Sequence, residues 1–390
     1  MKFLHTSDWH TGRTINGRDR SAEQQAVLGE IVEIARSERF DAVLVAGDLY
    51  ETSAPSAAAQ KLVIHGLMEL RNTGAEVVVI AGNHDHAATF DAYRPLMAGV
   101  GIRQFGTPRP ADRGGVVTFT ARSTGERVNV AVLPFVSQRY AVRATELLTG
   151  TPAENSGKYD QQVRNMIAGL RKGFSSDAVN IFMAHLTVTG GQLGGGERSA
   201  QSIFDYHVPA TAFGADPHYV ALGHLHRRQS VPAACPVHYS GSPIAVDFGE
   251  QDNTSVVLAV EVTPNTPAKI TDIPLTAARR LRTVLGSAAE IVAQSHMFGD
   301  DYVRVYVREA ARAGLHEEIQ EALPNAVQIR IDPDFASHTT TSRPQTTPPD
   351  RTPSQLFADY CGEQNVDDTR VRALFDRLHD EATSVGQAPA

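Results

Sequence analysis

The chain has 390 residues, of which 42 % are hydrophobic and 21 % charged, with a formal net charge of −8. That length exceeds what one core usually organises, and no apolar run approaches the roughly 18 residues that span a bilayer, so a large non-membrane domain with appended modules is expected. Two cysteines, Cys235 and Cys361, cannot form a disulfide framework, and charge appears before any signal-peptide core could form, so the expected location is cytoplasmic.

In chain order, short apolar runs recur and several end in polar clusters. Phe3-Leu4 precedes Thr6-Ser7-Asp8, residues 42–46 precede Gly47-Asp48, and residues 77–81 precede Gly82-Asn83-His84. Residues 130–133 follow, then 180–184 before His185, and 219–222 before Gly223-His224. Such runs read as strands buried on both faces. Val27, Leu28, Ile31, Val32 and Ala35 mark a helix between the early strands, as do Leu62, Val63, Leu67 and Leu70. A further helix is expected over about residues 159–172, on Val163, Met166, Ile167 and Leu170. The alternation predicts a layered α/β domain, whose chemistry gathers at the carboxyl ends of its strands. Residues 189–196 are glycine-rich but lack the Gly-Lys-Ser/Thr ending of a phosphate-cradling loop, so a mobile loop beside the site is expected.

The pattern resets around residues 264–267. A strand over 302–307, a helix over about 315–323 and a strand over 327–331 then predict a small α+β module. The expected domains are 1–265, a capping domain over 268–332, a flexible Thr/Ser/Pro-rich linker over 333–353 and a helical segment over 354–384. In the last segment, Leu356, Phe357 and Tyr360 mark one short helix, and Val371, Leu374, Phe375 and Leu378 a second. A helix pair this short cannot bury its apolar face alone. Leu356, Phe357, Leu374, Phe375 and Leu378 are therefore candidate partner contacts, with packing on the chain's own body as the alternative.

Five clusters carry the chemistry: Asp8-Trp9-His10, Gly47-Asp48, Gly82-Asn83-His84-Asp85, His185 and Gly223-His224-Leu225-His226. They offer oxygen and imidazole donors without sulfur, a set that suits Mn, Fe or Zn better than Mg. If the first segment is extended, Asp8 and His10 project to one side and could grip one ion, and His224 and His226 share a side likewise. Asp48 has two oxygens and could bridge two ions, whereas Asn83 can coordinate only through its carbonyl oxygen. Phosphodiester hydrolysis needs a strong nucleophile and neutralisation of phosphoryl charge. A pair of ions about 3.5–4 Å apart supplies both through a bridging hydroxide. His84, as histidinium, could stabilise developing charge or protonate the leaving oxygen, and Asp85 could orient it.

The ordered clusters resemble the signature of the calcineurin-like metallophosphoesterase superfamily. The resemblance implies a layered α/β/β/α fold with a small α+β capping domain and C-terminal helices. It also implies one ion on Asp8, His10, Asp48 and His226, and another on Asp48, Asn83, His185 and His224. The narrower resemblance is to the SbcD family, through Phe-Leu-His-Thr-Ser-Asp-Trp-His-Thr-Gly-Arg, Val-Ala-Gly-Asp-Leu-Tyr-Glu and Tyr-Ser-Gly-Ser-Pro-Ile, over most of the first 265 residues. It implies an Mn2+-dependent exonuclease and endonuclease subunit in DNA repair and recombination, acting on DNA ends and hairpins with an SbcC-type coiled-coil ATPase. The terminal helices would dock on that ATPase, and family members often form homodimers. Two departures stand out: Glu51 where some members have histidine, and Thr11 where many have leucine.

A charge of −8 argues against a solitary DNA binder but says little about a subunit. Arg13, Arg20 and Arg227 flank the first and last clusters and could contact phosphates, as could Arg18 and Arg228; a solvated charged surface is the alternative. His5, His65, His86, His207, His218 and His238 read as packing or surface residues. The competing functions are a small-molecule phosphodiesterase or phosphatase of the same superfamily, and a non-catalytic scaffold.

Overall fold

The computed structural model describes residues 1–141, 152–197, 206–335, 353–363 and 369–384. The chain divides into two compact units, Met1–Asp332 and Pro333–Ala390.

The first unit opens with β1 (Lys2–Thr6), α1 (Ser21–Glu38), β2 (Ala42–Ala46), α2 (Ala57–Asn72), β3 (Glu76–Ile80), α3 (Ala87–Gly99) and β4 (Ile102–Phe105). Next come β5 (Val116–Thr120), β6 (Arg127–Leu133), a single turn α4 (Gln138–Ala141), α5 (Pro152–Arg171) and β7 (Val179–His185). After a two-residue pair, β8 (Thr187–Val188) with β9 (His207–Val208), the chain forms β10 (Tyr219–Gly223), β11 (Gln229–Val231) and β12 (Val237–Tyr239). The hairpin β13 (Val256–Thr263) and β14 (Thr266–Pro274) then returns to the first strand.

Two six-stranded sheets result, in the orders β14-β13-β1-β2-β3-β4 and β11-β12-β10-β7-β6-β5. The period-2 alternation of a strand sorts the side chains between layers. Ala42, Leu44 and Ala46 of β2 face the other sheet's Val130, Val132, Ile181 and Met183. Val43 and Val45 face Val27, Ile31, Val63 and Leu67 of α1 and α2. On the far side, Phe182 and Leu222 meet Val163, Ile167 and Leu170 of α5. Helices cover both outer faces, which is the expected α/β/β/α layering. These strands are apolar throughout because both of their faces are buried.

The module after the hairpin has more elements than the sequence suggested. Beyond the expected strands β16 (Tyr302–Val307) and β17 (Ala326–Ile331), it contains β15 (Leu281–Gly286) and α6 (Ala288–Gln294), alongside α7 (Leu315–Ala322). Its three strands are parallel, in the order β15-β16-β17. Residues 268–274, taken from sequence into the capping domain after the reset near 264–267, instead complete the first sheet as part of β14. The module meets the main body through Ile15, Phe248, Leu281 and Tyr302, and Arg18 donates to the Pro324 carbonyl at 2.8 Å.

In the second unit, α8 (Pro353–Glu363) and α9 (Thr369–Ser384) form a helical pair. Residues 336–352 of the expected linker and the side chain of Leu356 lie outside the described residues. Phe357 stacks on Phe375 with ring centroids 4.1 Å apart, so those two side chains pack against each other. Leu374, Leu378, Val371 and Tyr360 are exposed.

Candidate metal centre

All five clusters leave the carboxyl ends of strands. Strands β1, β2 and β3 are parallel in one sheet, and β7 and β10 are parallel in the other. Their ends therefore point the same way and bring residues more than 200 positions apart to one place. The seven donors converge: His10 Nε2 lies 3.0 Å from His226 Nε2, and Asn83 Oδ1 lies 2.9 Å from His185 Nε2 and 2.8 Å from His224 Nδ1. Asp48 Oδ2 sits between the sets, 3.8 Å from His10 Nε2 and 3.3 Å from His185 Nε2. Donor atoms of Asp8, His10 and His226 lie within 4.8 Å of one another, as do those of Asp48, His185 and His224.

Two imidazole nitrogens facing each other at hydrogen-bond distance, both buried, suit a shared cation. The residues present fit divalent ions of mixed nitrogen and oxygen preference.

The local backbone differs from the extended segment assumed from Asp-x-His. Asp8 and His10 have φ of 53° and 45°, Asp48 has 52° and His224 102°. Side-chain alternation along a strand therefore does not explain why Asp8 and His10 converge. Each loop curls back through the left-handed region, a strained state that the surroundings must impose. Those surroundings are hydrogen bonds: Asp8 N–H donates to the Gly47 carbonyl, His10 N–H to that of Asp48 and Thr11 N–H to that of Leu49. Gly47 and Gly223 leave room for the ligands, since an added Cβ would lie 2.2 and 2.9 Å from His185 Nδ1.

Asp85 does not orient His84. Its carboxylate accepts from the Gly82, Leu49 and Tyr50 N–H groups at 2.8, 3.3 and 3.1 Å, binding two ligand loops together. Burial, then the Asp48 charge, push its carboxyl up to about 7. His84 is held instead by the Glu51 carbonyl, 2.7 Å from Nδ1, which requires the proton on that nitrogen. Its ring lies edge-on to His10 with centroids 4.8 Å apart. Burial lowers its pKa, against the pull of the Asp48 charge. Burial opposes charge on His226, but Glu250 lifts it to about 9.

The arginines divide. Arg20 is fully buried, chelates Glu23 with two bonds of 2.9 Å and donates to the Ala245 carbonyl at 2.6 Å, which overturns its assignment as a DNA contact. Arg13 pairs with Glu51 at 2.8 Å and reaches the Val246 carbonyl. Arg228 binds Asp272, whereas Arg227 is exposed beside His226. His86 caps α3 and accepts from the Thr89 N–H.

Sequence reasoning missed the supporting residues. Glu51 bonds His10 Nδ1 at 3.1 Å, Glu250 bonds His226 Nδ1 at 2.5 Å, and Ser242 holds the Asp8 carbonyl at 2.7 Å. Phe135 stacks on His224. The glycine-rich loop packs here too: Glu197 accepts from the N–H groups of His226, Gly194 and Gly195. Glu51 stood out in sequence as a departure and Ser242 as part of Tyr-Ser-Gly-Ser-Pro-Ile, but neither was given a supporting role, and Glu250 and Glu197 carried no signal beyond their acidity.

The family model for calcineurin-like phosphoesterase matches residues 1–228. The SbcD subunit of the SbcCD nuclease from Bacillus subtilis strain 168 is 33 % identical over 342 residues, covering 85 % of each chain. Its counterpart from Escherichia coli strain K12 is 29 % identical over 316 residues, covering 77 % of this chain and 74 % of its own. Together with the α/β/β/α layers and the converging donors, these likenesses make the protein a phosphodiester hydrolase that belongs to the calcineurin-like phosphoesterases and, among them, to the SbcD family.

Proposed function

We propose that the protein is the nuclease subunit of a DNA repair and recombination complex, cleaving DNA ends and hairpins together with an SbcC-type coiled-coil ATPase in the cytoplasm. The observation that carries this reading is the convergence of seven donors in two groups around Asp48. Asp8, His10, Asp48 and His226 would hold one divalent ion, and Asp48, Asn83, His185 and His224 a second, with Mn2+ as the expected ion. When bound, the pair supplies an activated water and neutralises charge on the phosphoryl oxygens.

The chain's own groups do the rest. The Glu51 carbonyl fixes the His84 tautomer, leaving Nε2 to face the substrate. An arriving phosphodiester brings negative charge that favours a proton on Nε2, which His84 then passes to the leaving oxygen. Asp85 positions the loops that carry Asp48 and Asn83. Exposed Arg227 is the strongest candidate for a DNA phosphate contact. The module over residues 281–332 would cap the site, and exposed Leu374 and Leu378 of α9 would meet the ATPase. No helix among the described residues is long and apolar enough to cross a membrane.

The test is to load the purified chain with Mn2+ and compare cleavage of duplex and hairpin DNA with that of cyclic nucleotides, with and without the ATPase. DNA cleavage is expected. Turnover of cyclic nucleotides alone would favour the small-molecule phosphodiesterase and reject this reading.

A further inference from the structure

We propose that the two ion positions are unequal, and that Glu51 and Glu250 are positioning residues that make the Asp8/His10/His226 position the tighter one. This rests on the two-ion reading above and adds an order of filling.

The asymmetry lies behind the ligands. His10 and His226 turn their Nε2 atoms toward each other and their Nδ1 atoms toward carboxylates, Glu51 Oε2 at 3.1 Å and Glu250 Oε1 at 2.5 Å. His185, in the other group, has its Nδ1 against the neutral Ala46 carbonyl at 2.8 Å. His224 turns Nδ1 itself toward Asn83. A carboxylate that accepts Nδ1–H fixes the tautomer, frees the Nε2 lone pair and makes the ring a stronger donor, whereas a carbonyl does so more weakly.

Formal charge reinforces the difference. Asp8 belongs to the first group alone, the second has neutral Asn83 in the corresponding place, and Asp48 lies between them, 3.8 Å from His10 Nε2 and 3.3 Å from His185 Nε2. Glu197 adds a further carboxylate beside His226, through its N–H at 2.9 Å.

Both backing carboxylates are built in. Glu250 is buried, and its second oxygen accepts from Val246 N–H at 2.8 Å. Gly196 leaves space for it, since a Cβ there would lie 2.0 Å from Glu250 Oε1. Glu51 is held by Arg13 on its other oxygen. An acidic side chain at position 51 thus takes up the Nδ1 side of His10, and the departure from the histidine of some family members has a consequence for metal affinity.

The experiment is a Mn2+ titration of the full-length, metal-free chain, followed by the EPR signal of free Mn2+ and by calorimetry. The parent is expected to bind two ions in two classes separated by at least about tenfold. Glu51→Gln and Glu250→Gln should each weaken the tight class by about 10- to 100-fold and leave the weak class in place, while Asn83→Ala should weaken only the weak class. Thermal unfolding of the metal-free variants checks their folding. Should Glu250→Gln fail to fold, Glu51→Gln at the more accessible position carries the test. Two ions of equal affinity, or glutamine variants that leave the tight class unchanged, would overturn the inequality. One ion per chain at saturation would overturn the two-ion reading itself.

Discussion

Replacing Gly82 with alanine tests the site by geometry alone. Gly82 is outside the left-handed region, so its backbone accepts a side chain and any effect comes from the added methyl. That methyl would lie 2.1 Å from Asp48 Oδ1, 2.4 Å from Asp48 N and 2.7 Å from Asp48 Cγ. Ordinary contact requires the carboxylate and the Asp48 backbone nitrogen to move away from residue 82 by about 1 Å, so the 48 and 82–85 loops must part as well as the side chain turn. A shift of that size costs about 100-fold in rate when it misplaces a reacting group, and Asp48 Oδ2 lies between the two donor groups, 3.8 Å from His10 Nε2 and 3.3 Å from His185 Nε2. We expect Gly82→Ala to lose at least about 100-fold in Mn2+-dependent DNA cleavage and to bind fewer than two ions, at a stability cost of about 1–3 kcal/mol. Gly29→Ala in α1, where a Cβ meets nothing within 4 Å, is the control and should be stabilised by about 0.5–1 kcal/mol. Cleavage of linear duplex DNA gives the first measurement and metal content per chain the second. Gly82→Ala that binds two ions and cleaves like the parent would refute the role of Asp48 as the shared ligand.

Substituting His84→Ser should lower cleavage by about 10²- to 10⁴-fold without changing metal content, because only the proton donor is lost; unchanged cleavage would remove His84 from the mechanism. His5 supplies a pH test. It is buried between the Tyr219 hydroxyl at Nδ1 and the Leu222 carbonyl at Nε2, and burial, then His238, lower its pKa to about 3. The folded state therefore binds this proton less readily than the unfolded state, so the contribution is intact above about pH 6.5 and is lost as pH falls from 6.5 toward 3. Relative to the parent, His5→Gln should flatten the acid limb of unfolding free energy by up to about 1.4 kcal/mol per pH unit, and parallel profiles would contradict it. Removing residues 354–390 should spare metal binding and weaken co-purification with the ATPase; equal recovery would return the helices to an internal role.

The layers were legible because burial on both faces leaves an unmistakable mark: Val43, Leu44 and Val45 are all apolar although they face two different cores. The donor cluster was legible because chemistry limits which residues can bind ions and the strand ends limit where. The capping module was half missed. Its first strand, Leu281–Gly286, is interrupted by adjacent Arg282 and Thr283 and has an exposed leucine, Leu285, so it lacks the run that marked the others. Roles that depend on direction were not legible. The order Asn83-His84-Asp85 suggested that Asp85 serves His84, yet the turn aims its carboxylate at three backbone N–H groups. Likewise the sequence did not separate buried Arg20 from exposed Arg227, because the burial of Arg20 comes from distant partners, the Ala245 carbonyl and the Tyr302 ring.

The strained ligands explain why the site sits where two sheets meet. Among the described residues, four of the six non-glycine positions with positive φ are Asp8, His10, Asp48 and His224. Each costs about 1–3 kcal/mol, a sum comparable to a domain's whole net stability, so rigid surroundings must impose these conformations. Strands β1, β2, β7 and β10 do so, since both faces of each are buried and their ends cannot relax without opening a core. Asp85 completes the constraint by fixing the 82–85 loop to the 48–50 loop. Its bonds are to backbone, so an asparagine there would keep one acceptor but turn an amide toward an N–H. The ligand directions are thus a property of the double sheet as a whole, and substitutions that loosen it should be felt first as lost metal affinity and only later as unfolding.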